Sequence, residues 1–98
     1  MTTIAHKLQE VRTRIGAACE AAGRRPEDVQ LLAVSKTFPA ECVVEAARAG
    51  QRDFGENYIQ EGVDKIAAVR AALPDQALRW HCIGPVQSNK TRLVAEHF

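Results

Sequence analysis

The sequence predicts an α/β fold built on a parallel sheet. Three short apolar runs begin near residues 29, 52 and 78, and each ends in a cluster of polar residues. After each run, apolar residues recur every three or four positions, the period of a helix with one buried stripe. Strand–helix units repeated at that spacing imply parallel strands joined by right-handed crossovers.

The elements follow in order. From Thr3 to Ala22, Ile4, Leu8, Val11, Ile15 and Cys19 form one helical stripe. Thr2 or Thr3 can cap its start, and Gly23 stands where a left-handed C-terminal cap is wanted. "RRPED" is a polar, proline-marked turn. "VQLLAVS" predicts a strand over 29–35, buried on both faces. Pro39 suits the first turn of the helix "PAECVVEAARAG", which Gly50 can end. "RDFGEN" predicts a second strand over 52–55. Tyr58 to Leu73 then carries Ile59, Val63, Ile66, Val69 and Leu73 at helical spacing, until Pro74 and Asp75 break the pattern. "LRWHCIG" predicts a third strand over 78–83. After the Gly84-Pro85 turn, Ser88 can cap the helix "NKTRLVAEHF", with Leu93, Val94 and Phe98 facing inward.

Composition limits the function. The 98 residues suffice for one small domain, 46% apolar and 26% charged, an ordinary globular balance. A net charge of +1 argues against nucleic acid or an anionic membrane as partner. No apolar run is long enough to span a bilayer, and "MTTIAHKLQEVRTR" lacks a signal core, so a cytoplasmic location is expected. Cys19, Cys42 and Cys82 are odd in number and widely spaced, a pattern of buried structural thiols rather than of a disulfide framework or zinc site. Three parallel strands leave two open edges, so residues 1–98 are expected to be part of a longer (β/α) domain.

In parallel α/β proteins chemistry gathers at the carboxyl ends of the strands. Here those ends read "SKT", "GENY" and "GPVQSNK" and should lie side by side. Lys36 closes the first. Enclosed at such a mouth, a lysine's pKa falls and its neutral amine can attack an aldehyde. A solvated lysine just past a strand and a phosphate-binding lysine are the other readings, although neither GxxxxGK[ST] nor GxGxxG is present. Gly55 allows close backbone approach; Asn57 can bond a ligand or cap a helix; Glu61 suits the next helix's dipole. Alternation puts Trp80 and Cys82 on one face of the third strand and His81 and Ile83 on the other. His81 either lines the interior or satisfies a buried hydrogen bond. Ser88, Asn89 and Lys90 offer donors at a helix start. Spacing establishes neither a Ser–His–Asp arrangement nor a pair of carboxylates placed for acid–base work.

"LLAVSKT", "GQRDFGENYIQEGVDKI" and "RWHCIGPVQSNKTRLVAEHF" together resemble, in order and spacing, the N-terminal part of the pyridoxal phosphate homeostasis (YggS) family, from about Ile4 to Phe98. The resemblance implies a fold-type III (β/α)8 TIM barrel like the N-terminal domain of alanine racemase. It implies pyridoxal 5'-phosphate held as an internal aldimine on Lys36, with Asn57, His81 and Ile83 at motif positions on the cofactor side. It further implies a non-catalytic carrier that buffers the cofactor, with apo-enzymes that depend on it as recipients. An amino-acid racemase of the same fold is the runner-up, which would need a second acid–base group on the opposite face of the cofactor. A cofactor-free interaction module is the third reading. Two departures stand out: family members run to well over twice this length, their phosphate-gripping segments lying near the last strands, and Phe38 stands where some relatives carry a second lysine.

Overall fold

The computed structural model describes residues 3–98. The chain divides into two compact units, the first ending at Leu31 and the second running from Leu32 to Phe98.

The first unit is a helix, α1 (Ile4–Ala22), followed by a single 3₁₀ turn, Pro26–Asp28. Thr3 caps α1, its side-chain oxygen accepting the His6 N–H at 3.1 Å. Thr2, the other candidate cap, lies outside the described residues. At the far end Gly23 takes φ 68°, and the next N–H, of Arg24, returns to the Cys19 carbonyl at 2.8 Å. That pair of features is a Schellman close, and glycine is there because a side chain would strain the left-handed backbone. Of the predicted stripe only Cys19 is buried.

In the second unit three strands, β1 (Ala33–Val34), β2 (Asp53–Glu56) and β3 (Arg79–Cys82), alternate with α2 (Ala40–Arg48), α3 (Ile59–Ala72) and α4 (Thr91–His97). The sheet order is β1-β2-β3 and both pairings are parallel, as the alternation predicts. Ala33 pairs with Phe54 and Phe54 with Trp80; one step on, Val34, Gly55 and His81 are level. β1 is far shorter than the predicted 29–35.

One face of the sheet is buried. Phe54 and Trp80 pack across it with ring centroids 5.4 Å apart, and Val43, Ala46, Ala47, Ile59, Ile66, Val69 and Leu73 complete this unit's core. The other face carries Leu32, Val34 and Ile83, all exposed, so the first strand is not buried on both faces as its apolar run predicts.

Three local expectations are corrected. Pro39 is the residue before α2 rather than part of its first turn, with extended ψ 163°. Ser88 does not cap the last helix: Ser88–Lys90 form a 3₁₀ turn and α4 starts only at Thr91. Lys90 sits at φ −112°, ψ −2°, a bridge conformation that interrupts the helical ladder, and the Thr91 hydroxyl donates to Ser88 O at 3.0 Å. On α3, Val63 is only half-buried, while Gly62 and Lys65 take the inward face with Ile59, Ile66 and Val69.

Candidate functional site

The strand ends meet at one edge of the second unit. Past Val34, the Ser35 N–H extends the β1–β2 ladder by bonding Gly55 O at 2.9 Å. Ser35 turns its side chain to the buried face, where its hydroxyl meets the Glu56 carboxylate. Lys36 follows directly, past the end of β1, and is exposed.

The chain reverses here. The Phe38 N–H returns to Ser35 O at 3.1 Å, closing a β-turn with Lys36 and Thr37 at its centre. Among the described residues Thr37 is the sole non-glycine with positive φ, at 66°. Negative φ at the first central residue and positive φ at the second is the pattern of a type II turn, which favours glycine where Thr37 stands. The Thr37 N–H donates to Glu61 Oε1, on the first turn of α3, at 2.9 Å. Sequence reasoning assigned Glu61 to the helix dipole; it also reaches across to this turn.

Behind the turn lies a buried charged cluster. Lys65 Nζ donates to Ser35 O at 2.6 Å, to both Glu56 oxygens at 3.0 and 3.2 Å, and to Glu61 Oε1 at 3.3 Å. Glu56 is fully buried and Lys65 nearly so. A charge so enclosed needs a paired, hydrogen-bonded partner, and each supplies the other's. Lys65 escaped the sequence reading. Its signal was positional: it lies on the helical stripe of Gly62, Ile66 and Val69, an unusual place for a lysine without a partner.

The remaining predicted residues spread along the open face. Asn57 directly follows β2 and packs on Gly84, just past β3; a Cβ at Gly84 would land on the Asn57 side-chain oxygen and 2.6 Å from its backbone oxygen. Ile83 and Leu32 close over Gly55, whose missing side chain makes the room: a Cβ there would stand 3.2 Å from Ile83 Cδ1 and 3.5 Å from Leu32 Cδ2. His81, also on this face, is turned back along the sheet, its Nε2 lying 3.1 Å from Asp53 Oδ1. Asp53 also accepts two bonds from Arg79, at 2.6 and 2.8 Å, and this carboxylate raises the guanidinium's pKa by hydrogen bonding first and by charge second. Thus Lys36, Asn57 and Ile83 stand at the carboxyl ends of their strands, and His81 sits one layer below them, engaged with Asp53. Asp53 was not singled out from sequence, since a carboxylate opening a strand carries no spacing signal of its own.

No family model matches the chain. Over all 98 residues it is 60% identical to the pyridoxal phosphate homeostasis protein of Escherichia coli K12 and 58% identical to that of Pseudomonas aeruginosa PAO1. It is homologous to the N-terminal part of the pyridoxal phosphate homeostasis proteins. The chain spans 42% of the length of the E. coli homeostasis protein and 41% of that from P. aeruginosa. Among solved structures, PipY of Synechococcus elongatus PCC7942 without pyridoxal phosphate superposes with a TM-score of 0.76 at 43% identity, covering 98% of this chain and 39% of PipY. The same protein with pyridoxal phosphate bound gives a TM-score of 0.73 at 42% identity over the same shares. An unknown protein from Bifidobacterium adolescentis gives a TM-score of 0.83 at 35% identity, covering 93% of this chain and 40% of that one.

Proposed function

We propose that this chain is the N-terminal part of a protein that binds pyridoxal 5'-phosphate in the cytoplasm and keeps it available, with Lys36 as the point of attachment. The observation that supports this most is the seating of Lys36: an exposed lysine just past the carboxyl end of a parallel strand, in a turn whose flanking peptides are both bonded by charged side chains of α3. PipY, with its fold similarity and a structure with the cofactor bound, supports the same reading. The residues present fit the aldehyde end of such a group, which supplies a carbonyl carbon that a lysine amine can hold covalently and reversibly.

In this reading Lys36 provides the amine, Asn57 a side-chain amide at the neighbouring strand end, and Ile83 an apolar wall above Gly55. His81, fixed by Asp53, forms the layer beneath. The three strand–helix units are then the first part of a (β/α)8 barrel, residues 1–98 belonging to one domain, and the apolar open face of the sheet turns toward the barrel interior. The protein carries the cofactor rather than turning over a substrate, with apo-enzymes that need it as recipients. The relatives are named for homeostasis, not for a reaction. Behind the turn that carries Lys36, Lys65 is paired with Glu56 and Glu61, and along the sheet Asp53 is engaged with Arg79 and His81.

The test uses a protein carrying this segment at its relatives' full length. Incubation with pyridoxal phosphate, reduction with borohydride and peptide mass spectrometry should find the adduct on Lys36. Lys36→Ala should lose it. An adduct that survives that substitution would refute the assignment.

A further inference from the structure

The two peptide groups that flank Lys36 are both held from α3. The Ser35 carbonyl, in the peptide before Lys36, accepts from Lys65 Nζ at 2.6 Å. The Thr37 N–H, in the peptide after it, donates to Glu61 Oε1 at 2.9 Å. Because peptides are planar, fixing these two planes fixes both backbone dihedrals of the residue between them, and with them the direction of its Cα–Cβ bond. The two holding residues are one helical turn apart and bonded to each other at 3.3 Å. Lys65 is anchored in turn on fully buried Glu56, which also meets the Ser35 hydroxyl. The clamp is therefore closed: β2, α3 and the turn after β1 each contribute a side.

Thr37 shows what the clamp opposes. A β-branched residue at φ 66° is sterically disfavoured, and such outliers persist only where surroundings over-determine them, most often at functional sites. The turn could relax if the Thr37 N–H were released.

We propose that Glu61 is a positioning residue for Lys36. Through the Thr37 N–H, and with Lys65 and Glu56 as its footing, it holds the turn in the left-handed form that presents the Lys36 amine in one direction. This rests on the reading of Lys36 as the attachment point. Glu61 is the member to change, because its side chain is 39% exposed and its loss leaves Lys65 paired with Glu56.

In a protein carrying this segment at full family length, two quantities are measured for Glu61→Ala and Glu61→Gln. One is hydrogen exchange at the Thr37 amide without cofactor. The other is the rate at which pyridoxal phosphate labels Lys36, trapped by borohydride and read by mass. Loss of one hydrogen bond to a charged acceptor should speed Thr37 exchange and slow labelling by about tenfold each in Glu61→Ala. Glu61→Gln keeps an oxygen acceptor and should stay within about threefold of the parent on both. Labelling at the parental rate in Glu61→Ala, unchanged Thr37 exchange, or failure of Glu61→Gln to restore both overturns the positioning role. Lys36→Ala separates the two readings. Labelling that survives it overturns the attachment site and the positioning role together; labelling lost there but parental in Glu61→Ala overturns the positioning role alone.

Discussion

Glu56 is 0% exposed, and its charge is tolerable because Lys65 Nζ lies 3.0 Å away. A buried ion pair adds little net stability against an apolar replacement, but breaking one side strands the other charge. Lys65→Met should therefore destabilise the protein by roughly 3–5 kcal/mol, read from urea unfolding. Removing the carboxylate as well, in Glu56→Leu with Lys65→Met, should recover most of that loss. A double variant as unstable as the single one would mean that Lys65 matters for its bond to the Ser35 carbonyl rather than for its charge. The pair also shows why residue-scale prediction stops short: alternation sends Glu56 to the same buried face as Phe54, but nothing in "DFGE" tells what compensates its charge there. That depends on a lysine nine residues later, placed by helical phase.

Between elements, the packing of α3 depends on a missing side chain. A Cβ at Gly62 would stand 2.8 Å from Phe98 Cζ and 3.2 Å from Glu56 Cβ. Alanine would gain about 1 kcal/mol of helix propensity. Overpacking costs about 1–3 kcal/mol, and fully buried Glu56 has no room to yield, so the steric term should win. Gly62→Ala is thus expected to lower the melting temperature; a rise would show that the Phe98 ring swings aside freely. At this scale the sequence was most legible. Short apolar runs and a helical period of three to four placed every strand and α-helix, and the parallel pairing followed from their alternation. Ends were less legible, because pairing and caps involve partners distant in sequence: β1 is only Ala33–Val34, and Ser88 loses its capping role to a 3₁₀ turn. The candidate site was legible as a set of strand ends: Lys36, Asn57 and Ile83 lie just past β1, β2 and β3. The clamp behind Lys36 was not, since Glu61 and Lys65 contribute from the far side of the sheet through bonds spanning 24 and 30 residues.

Over the whole molecule, the open sheet face decides how the 98-residue chain should behave alone. Leu32, Val34 and Ile83 are 37%, 49% and 43% exposed on one surface, and contiguous apolar surface of that kind promotes association. Concentration-dependent sedimentation and dye binding are expected, both weakened by Val34→Thr, which keeps β-branching and adds a hydroxyl. The same openness bears on the cofactor. A dianionic phosphate is retained by several convergent N–H donors, such as a helix N-terminus or a backbone nest provides. In the proposed barrel those donors come from later strands, as the resemblance implies. The 98-residue chain should therefore label at Lys36 when reduced in excess pyridoxal phosphate but lose unreduced cofactor on gel filtration, whereas a protein of full family length should retain it. Stoichiometric retention by the 98-residue chain would place the phosphate site within residues 1–98 and overturn this division of labour.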